Sequence, residues 1–519
     1  GMGWTGRGGA AWRQRQVDRP VMEVFRDVGV DFPSGASVHY IAATNVLIVS
    51  NTPSNHDLVD HLLEFTATEM SQKETAEEAL ETNARDEAFS TFSLHVSDVS
   101  FKLAKATLAK GEWPAAGQLR VEEFVNAFDY DDPSPRMREK VACRLEQAAH
   151  PFMQQRNLLR ISMRTAAVGR SGGTPLRLTV LLDKSGSMER LDRAESVQRA
   201  LGLLTGQLNG ADLISVISFS RTPRLLVDRV PGNKAGMVPK LVANTPSQGG
   251  TNLEEALRAG LEKAREQKIE GGQNRIILLT DGAANLGNAK PEDLAKLVES
   301  MRQEGISFDA CGVGAAGLND EILESLTRKG DGRYYFLDRP EDADEGFARQ
   351  IAGALRPAAR NVKVQVHFNP RRVGYYKLYG FEKHRLETQD FRNDSVDAAE
   401  MAAAEAGNAV YQMEVRPDGE GEIGTVSVRF QDMATGEMVE RKWTIPYEGD
   451  APRLSEAPPS MRLAASAALL GETLNGSPMG DRVQLRELVK ITNSLRTDYP
   501  RSARVGELIE MTAKARELE

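Results

Sequence analysis

Apolar residues follow two rhythms along this chain. Between residues 174 and 357, short apolar-rich runs alternate with segments whose apolar positions recur every three or four residues, as buried parallel strands separated by amphipathic helices do. The pattern predicts strands at 176–182, 213–219, 276–280, 306–313 and 333–337, with helices at 194–208, 253–264, 291–301, 320–328 and 340–355. Pro291 and Pro340 suit first helical positions, and Gly330 suits a helix stop. Residues 225–228, just past Arg221-Thr222-Pro223, fit an antiparallel edge strand. On either side of this region the apolar positions alternate with period two, at 92–96 and 157–165 before it and at 362–368, 411–415, 424–430 and 439–445 after it. Turns such as Pro417-Asp418-Gly419 and Thr435-Gly436 separate them.

These rhythms divide the chain. Residues 1–19 read as a glycine-rich tag and linker, and 20–68 as a small helix–strand–strand–helix α/β module similar to those of secretins and related envelope proteins. Residues 69–88 are charged, poor in large apolar side chains, and read as a linker. Residues 89–173, which include helices expected at 101–108 and 121–128, and residues 358–450 form two parts of one β-rich flanking domain. Between them 174–357 is an inserted α/β domain with a doubly wound, mostly parallel sheet, and 451–519 is a C-terminal helical segment with helices at 461–474, 481–495 and 503–518. Those last helices either pack on the β domain or form a docking surface.

Composition narrows the partners. The chain has 519 residues, 40% hydrophobic and 27% charged, the balance of a multi-domain globular protein. No run of about 20 apolar residues long enough to cross a membrane is present. A formal net charge of -9, with no basic stripe, argues against nucleic acid or an anionic membrane surface as the main partner. Cys143, in a segment read as helical, and Cys311, in a strand, are expected to be free buried thiols. His56 and His61 have the wrong spacing for one metal-binding helix face and are expected at the surface. Gly1 ahead of Met2 reads as an expression remnant, and any targeting segment is expected to have been cut away.

The candidate chemistry lies where the first strand of the α/β region stops. Leu-Arg-Leu-Thr-Val-Leu-Leu runs into Asp183-Lys-Ser185-Gly-Ser187, so a carboxylate and two hydroxyls can converge beyond the strand's carboxyl end. Hard oxygen donors suit Mg²⁺, Mn²⁺ or Ca²⁺ far better than Zn²⁺. The same residues could also simply close a turn. Thr251, after Gly249-Gly250, opens a helical pattern and also fits a capping box with Glu254. Asp281 ends the strand at 276–280 and is followed by Gly282.

Asp183-x-Ser185-x-Ser187, Thr251 and Asp281, in this order, resemble the von Willebrand factor type A domain with a complete metal-ion-dependent adhesion site; none of the five positions departs from the pattern. The resemblance implies that these five side chains surround one divalent ion in a solvent-facing crevice. It also implies that a partner protein's Asp or Glu carboxylate takes an open coordination position. The expected protein is therefore a non-enzymatic adhesion or scaffold protein at the cell envelope, outside the cytoplasm, with no small-molecule substrate. The alternative is an accessory subunit of an AAA+ ATPase-driven maturation or metal-insertion complex. The flanks add Phe89-Ser-Thr-Phe-Ser93, Arg120 to Tyr130, Phe368-Asn-Pro370 and Asp390 to Asp394, which are similar to segments of the bacterial YfbK-like subfamily. A Gly-His turn expected after Glu400 is replaced here by Ala402 to Asn408.

Other patterns carry less. Gly312-x-Gly314-x-x-Gly317 matches a dinucleotide fingerprint, but the same spacing recurs at Gly419-x-Gly421-x-x-Gly424 in an apparent hairpin. Walker A, His-Glu-x-x-His and Gly-x-Ser-x-Gly sequences are absent. Asp390, Asp394, Asp397 and Glu400 lack calcium-loop spacing and are expected to form a solvated turn leading into a helix rather than a second ion site.

Overall fold

The structure is a computed structural model describing residues 22, 25–26, 30–41, 46–53, 55–56, 59 and 81–519, apart from 137, 167–173, 283–289, 356, 397 and 403–404. The chain forms two compact units, residues 1–82 and 83–519. In the first, β1 (Ser37–Ile41) and β2 (Val46–Ser50) pair antiparallel, Ser37 opposite Ser50. The helices expected on either side lie largely outside the described residues, as does His61. His56 is half-buried and accepts a hydrogen bond from the Asn51 amide at 3.2 Å.

The short β3 (Thr82–Asn83) lies at the boundary of the two units, and the further strands before the α/β region are β4 (Phe89–Ser93), β5 (Val141–Ala149) and β6 (Arg156–Thr165). The α/β region supplies β7 (Leu176–Asp183), β8 (Leu213–Phe219), β9 (Pro223–Pro231), β10 (Gln273–Thr280), β11 (Ser307–Val313) and β12 (Tyr334–Leu337). After it come β13 (Pro357–Phe368), β14 (Val373–Leu378), β15 (Arg385–Leu386), β16 (Ala399–Ala402), β17 (Ala406–Val415), β18 (Gly424–Asp432) and β19 (Met438–Ile445).

The flanking strands pair across the α/β region. β4 runs antiparallel to β13 and β6 to β17, within one sheet of order β15-β4-β13-β18-β19, with β16 added on β13, and a second of order β3-β14-β17-β6-β5. The alternating apolar residues of both sheets meet in one core, where Phe368 stacks on Tyr376 at 4.3 Å and packs edge-on to Tyr411 at 5.3 Å. The outer face of the second sheet, through Ala148, Leu158 and Val410, is covered by the helix Pro459–Leu474, on which Leu485–Asp498 and Ala503–Leu518 stack within the same core. The C-terminal helices therefore join the β domain's outer core through the first of them. Ala84 is buried and its amide bonds Gly374, so the segment read as a linker ends inside this domain. Cys143 lies in β5, not in a helix, and burial pushes its thiol and that of Cys311 up to about 12.

The α/β sheet has the order β12-β11-β10-β7-β8-β9, parallel except for the edge strand β9. Its two faces are filled separately. Leu178, Val180 and Leu182 pack against the helices Leu191–Thr205 and Glu345–Leu355, while Leu181, Ile276 and Leu278 pack against Leu253–Gln267, Pro291–Gln303 and Asp320–Lys329. It is a doubly wound α/β fold. Buried ion pairs join it to the flanks: Arg275 bridges Asp309 at 3.0 Å and Glu400 at 2.5 Å, Arg333 holds Glu405 at 2.8 Å, and Arg120 holds Asp320 at 2.8 Å.

Glu122 stands out among the buried acids. It is 1% exposed, accepts the Phe381 amide at 2.9 Å, and lies 3.9 Å from His384 Nε2. Burial, reinforced by the Glu123 charge, pushes its carboxyl up to about 8. The folded state then keeps a proton that the unfolded chain has released, so stability from this group is complete below the ordinary carboxylate range and is lost as pH rises toward about 8. Glu122→Gln, measured by urea unfolding from pH 5 to 9, should remove a slope of up to about 1.4 kcal/mol per pH unit and be more stable than wild type above pH 8. Parallel pH profiles for the two proteins would contradict this.

Candidate metal centre

The connectivity fixes where a site can form. From β7 the chain moves to β8 and β9 on one side, then returns to β10, β11 and β12 on the other, so the order reverses between β7 and β10 and leaves a crevice at their carboxyl ends. Parallel register sets Leu182 beside Leu279 and Asp183 beside Phe219, which brings Asp183, Thr280 and Asp281 to the same end of the sheet. Backbone hydrogen bonds fasten the loops around it: Lys184 N to Phe219 O at 2.8 Å, Gln248 N to Lys184 O at 2.9 Å, and Asn252 N to Ser220 O at 2.7 Å. The last two seat the Thr251 loop on those after β7 and β8.

Four of the five oxygen donors are buried: Asp183 and Asp281 at 1% exposure, Thr251 at 2% and Ser185 at 3%. Only Ser187 faces solvent, so the crevice is more enclosed than the solvent-facing one expected. Asp183 Oδ1 accepts the Ser185 amide at 2.8 Å, and Oδ2 accepts the Thr280 hydroxyl at 2.7 Å. Ser185 Oγ and Ser187 Oγ converge to 3.1 Å. Thr251 also precedes Asn252, whose side chain caps the helix Leu253–Gln267 by accepting from Glu255 N. Helix capping thus falls to Asn252, not to Thr251.

Burial raises the Asp183 carboxyl above its ordinary value, the hydrogen bonds from Thr280 and Ser185 oppose that, and the Asp281 charge raises it further. Two like charges at one enclosed point, with hydroxyls gathered beside them, form a donor set that a hard divalent cation would satisfy. The set depends on hydroxyls: among the described residues no group of three or more His, Cys, Asp and Glu side chains gathers as a metal site.

Two participants were not apparent from the sequence. Thr280, the last residue of β10, donates to Asp183 and accepts the Gly282 amide at 3.0 Å, and Gly282 takes φ +77°. Arg193, on the helix after the Asp183 loop, donates to Asp281 Oδ2 at 2.5 Å, to Ser187 O at 3.1 Å and to Ala316 O at 2.5 Å. Gly314 takes φ +77°, and a Cβ there would lie 2.7 Å from Arg193 Nε, which gives the central glycine of the fingerprint-like Gly312-x-Gly314-x-x-Gly317 a packing role. The acidic cluster does not converge. Asp394 pairs with Arg429 at 2.9 Å, Glu400 with Arg275 and Arg360, and Asp390 caps a short turn at Glu387 N; Asp397 lies outside the described residues. The segment continues into strand β16, not into a helix.

Three stretches of the chain match known protein families. The von Willebrand factor type A domain family matches residues 178–349, a family described as von Willebrand factor matches 67–160, and one described as Uncharacterized protein YfbK, C-terminal, matches 353–518. The α/β domain is a type A domain. The chain as a whole is a YfbK-like type A protein, 27% identical over 441 residues to the uncharacterized protein YfbK of Escherichia coli (strain K12), covering 80% of this chain and 76% of that one. Inter-alpha-trypsin inhibitor heavy chain H3 of Mus musculus is 30% identical over 205 residues, 37% of this chain but 22% of that protein. A solved von Willebrand factor type A structure from Catenulispora acidiphila is similar at 16% identity and a TM-score of 0.44, covering 72% of this chain and 89% of that one. Type A domains are in general non-enzymatic protein–protein interaction modules that typically bind a divalent metal. No helix among the described residues is long and apolar enough to cross a membrane.

Thr280→Val tests the framework of the site without touching the five donors. It removes one buried hydrogen bond to Asp183 and one from Gly282, and should cost about 1–3 kcal/mol in urea unfolding. Thr280→Ser keeps the hydroxyl and should stay close to wild type. Equal stability of all three would show that the pair is not needed.

Proposed function

We propose that this chain is an adhesion or scaffold protein of the cell envelope whose capture of a partner protein depends on a divalent cation, Mg²⁺, Mn²⁺ or Ca²⁺, held by Asp183, Ser185, Ser187, Thr251 and Asp281. The observation that carries this reading is the meeting of two buried carboxylates and the Ser185 and Ser187 hydroxyls where the order of the sheet reverses. Asp183 and Asp281 supply the negative charge, the three hydroxyls add dipoles without charge, and Thr280 and the Ser185 amide fix the Asp183 carboxylate in place. A bound ion would supply positive charge and an open position for an Asp or Glu oxygen of the partner.

The surroundings suit protein capture better than turnover. A cavity of about 410 Å³ reaches the site at Asp183, the one donor that lines it, and is bounded by Met188, Leu191, Val197 and Val242 together with the polar Lys184 and Glu195; Leu191 is 83% exposed. That apolar wall has room for a partner side chain beside the captured carboxylate. Among the described residues, no histidine or cysteine lines this cavity.

Calorimetric titration of chelator-stripped protein with each cation should give heat and a higher melting temperature at millimolar metal, because ligand binding stabilises the folded state. Absence of both would contradict the reading. Asp183→Asn, which keeps shape but removes one of the two charges, should abolish metal binding and partner capture together. Thr251→Ala, losing one neutral donor, should weaken metal binding less. Partners recovered by pull-down should be lost in chelator; equal recovery with and without chelator would place the capturing surface elsewhere on the chain.

A further inference from the structure

We propose that Arg193 is a built-in competitor for the divalent cation: its guanidinium occupies the Asp281 side of the cradle, and the ion enters only by displacing it. The proposal rests on the reading of the five donors as a cation site and adds a condition to it. Capture would then require metal concentrations high enough to overcome an internal ion pair.

The geometry is specific to this side chain. Arg193 is 4% exposed although it sits in the first turn of the helix Leu191–Thr205, where an arginine ordinarily reaches into solvent. Its neighbour Arg190 is exposed and pairs with Asp192. Arg193 turns inward and donates to three loops at once, through Ser187 O after β7, Asp281 Oδ2 after β10 and Ala316 O after β11. Gly314 leaves the space through which it passes. Its Nε is buried without a hydrogen-bond partner, so the guanidinium lies there with its donors incompletely used.

Charge makes this arrangement conditional. A guanidinium cannot lose its proton to make way for another cation. With Asp281 paired to Arg193, a divalent ion finds effectively one carboxylate, Asp183, and faces a positive charge at contact range in an enclosed crevice, where repulsion is strong. Binding therefore needs Arg193 to leave Asp281. That movement would also release the clamp on the Ser187 and Ala316 loops, so metal binding and reshaping of the crevice rim are one event.

Calorimetry with Mg²⁺ and Mn²⁺ on wild type, Arg193→Gln and Arg193→Lys tests the proposal, with melting temperatures recorded for each protein without metal and at saturation. Arg193→Gln should bind both ions about tenfold or more tightly than wild type, because the competing charge is gone. It should also melt lower than wild type without metal and show the larger metal-induced rise. Arg193→Lys keeps the charge, and so a folded site, but loses the fork that spans three loops; it should fall between the two. Measurable binding of equal or lower affinity in both variants would overturn the competitor role and leave the cation site standing. Absence of binding in all three proteins would remove the cation site, and the competitor role with it.

Discussion

An ionised carboxylate taken out of water has to be matched by a cation, by hydrogen-bond donors or by a proton, and the buried acids of this chain use all three. Arg160, fully buried, sits between Asp132 and Glu146, also bonds Asn408 at 2.7 Å, and lies 4.3 Å over the Tyr130 ring. Arg275 does the same between Asp309 and Glu400. Glu122, with no cation at contact distance, takes a proton. Each solution holds together segments far apart in sequence: Arg160 joins β6 to β17 and the loop before β5, and Arg275 joins the type A sheet to the flank. A buried charge that loses its partner costs far more than an exposed pair, so these junctions tie the α/β region and its flanks into one unit.

The crevice obeys the same constraint and turns it to use. Asp183 and Asp281 stand together because the sheet reverses its order between β7 and β10, a consequence of connectivity and parallel register. Hydrogen bonds from Thr280 and Ser185 only partly balance Asp183, and Arg193 balances Asp281. Elsewhere in the molecule such pairs are sealed by packing. Here Ser187 is exposed to solvent and a cavity reaches Asp183, so one side of the crevice is open.

Much of this was legible in the sequence, for physical reasons. Strands of a parallel sheet are buried on both faces, so β7, β8, β10 and β11 read as short apolar-rich runs, and the half-exposed edge strand β9 read differently. Asp183, Ser185, Ser187 and Asp281 were legible as candidate donors because each ends or follows such a strand, and Thr251 because it stands between Gly249-Gly250 and a helical pattern. β5 was missed because Val-Ala-Cys-Arg-Leu-Glu-Gln-Ala-Ala carries helix formers where strands favour β-branched residues, and only its pairing with β6 holds it extended. Arg193 and Thr280 were missed for another reason: an arginine at a helix start reads as a surface residue, and a threonine ending a strand reads as part of the strand. What each side chain points at is settled by packing between distant segments, which local pattern does not encode.

The central claim is that the paired carboxylates and hydroxyls at the β7–β10 crevice hold an exchangeable divalent ion. A crystal structure of the protein grown with Mn²⁺, with an anomalous difference map calculated at the manganese edge, tests it most directly. The account predicts one anomalous peak enclosed by Asp183, Ser185, Ser187, Thr251 and Asp281, with Arg193 withdrawn from Asp281. A map without a peak there, with Arg193 still paired to Asp281 at saturating Mn²⁺, would contradict it.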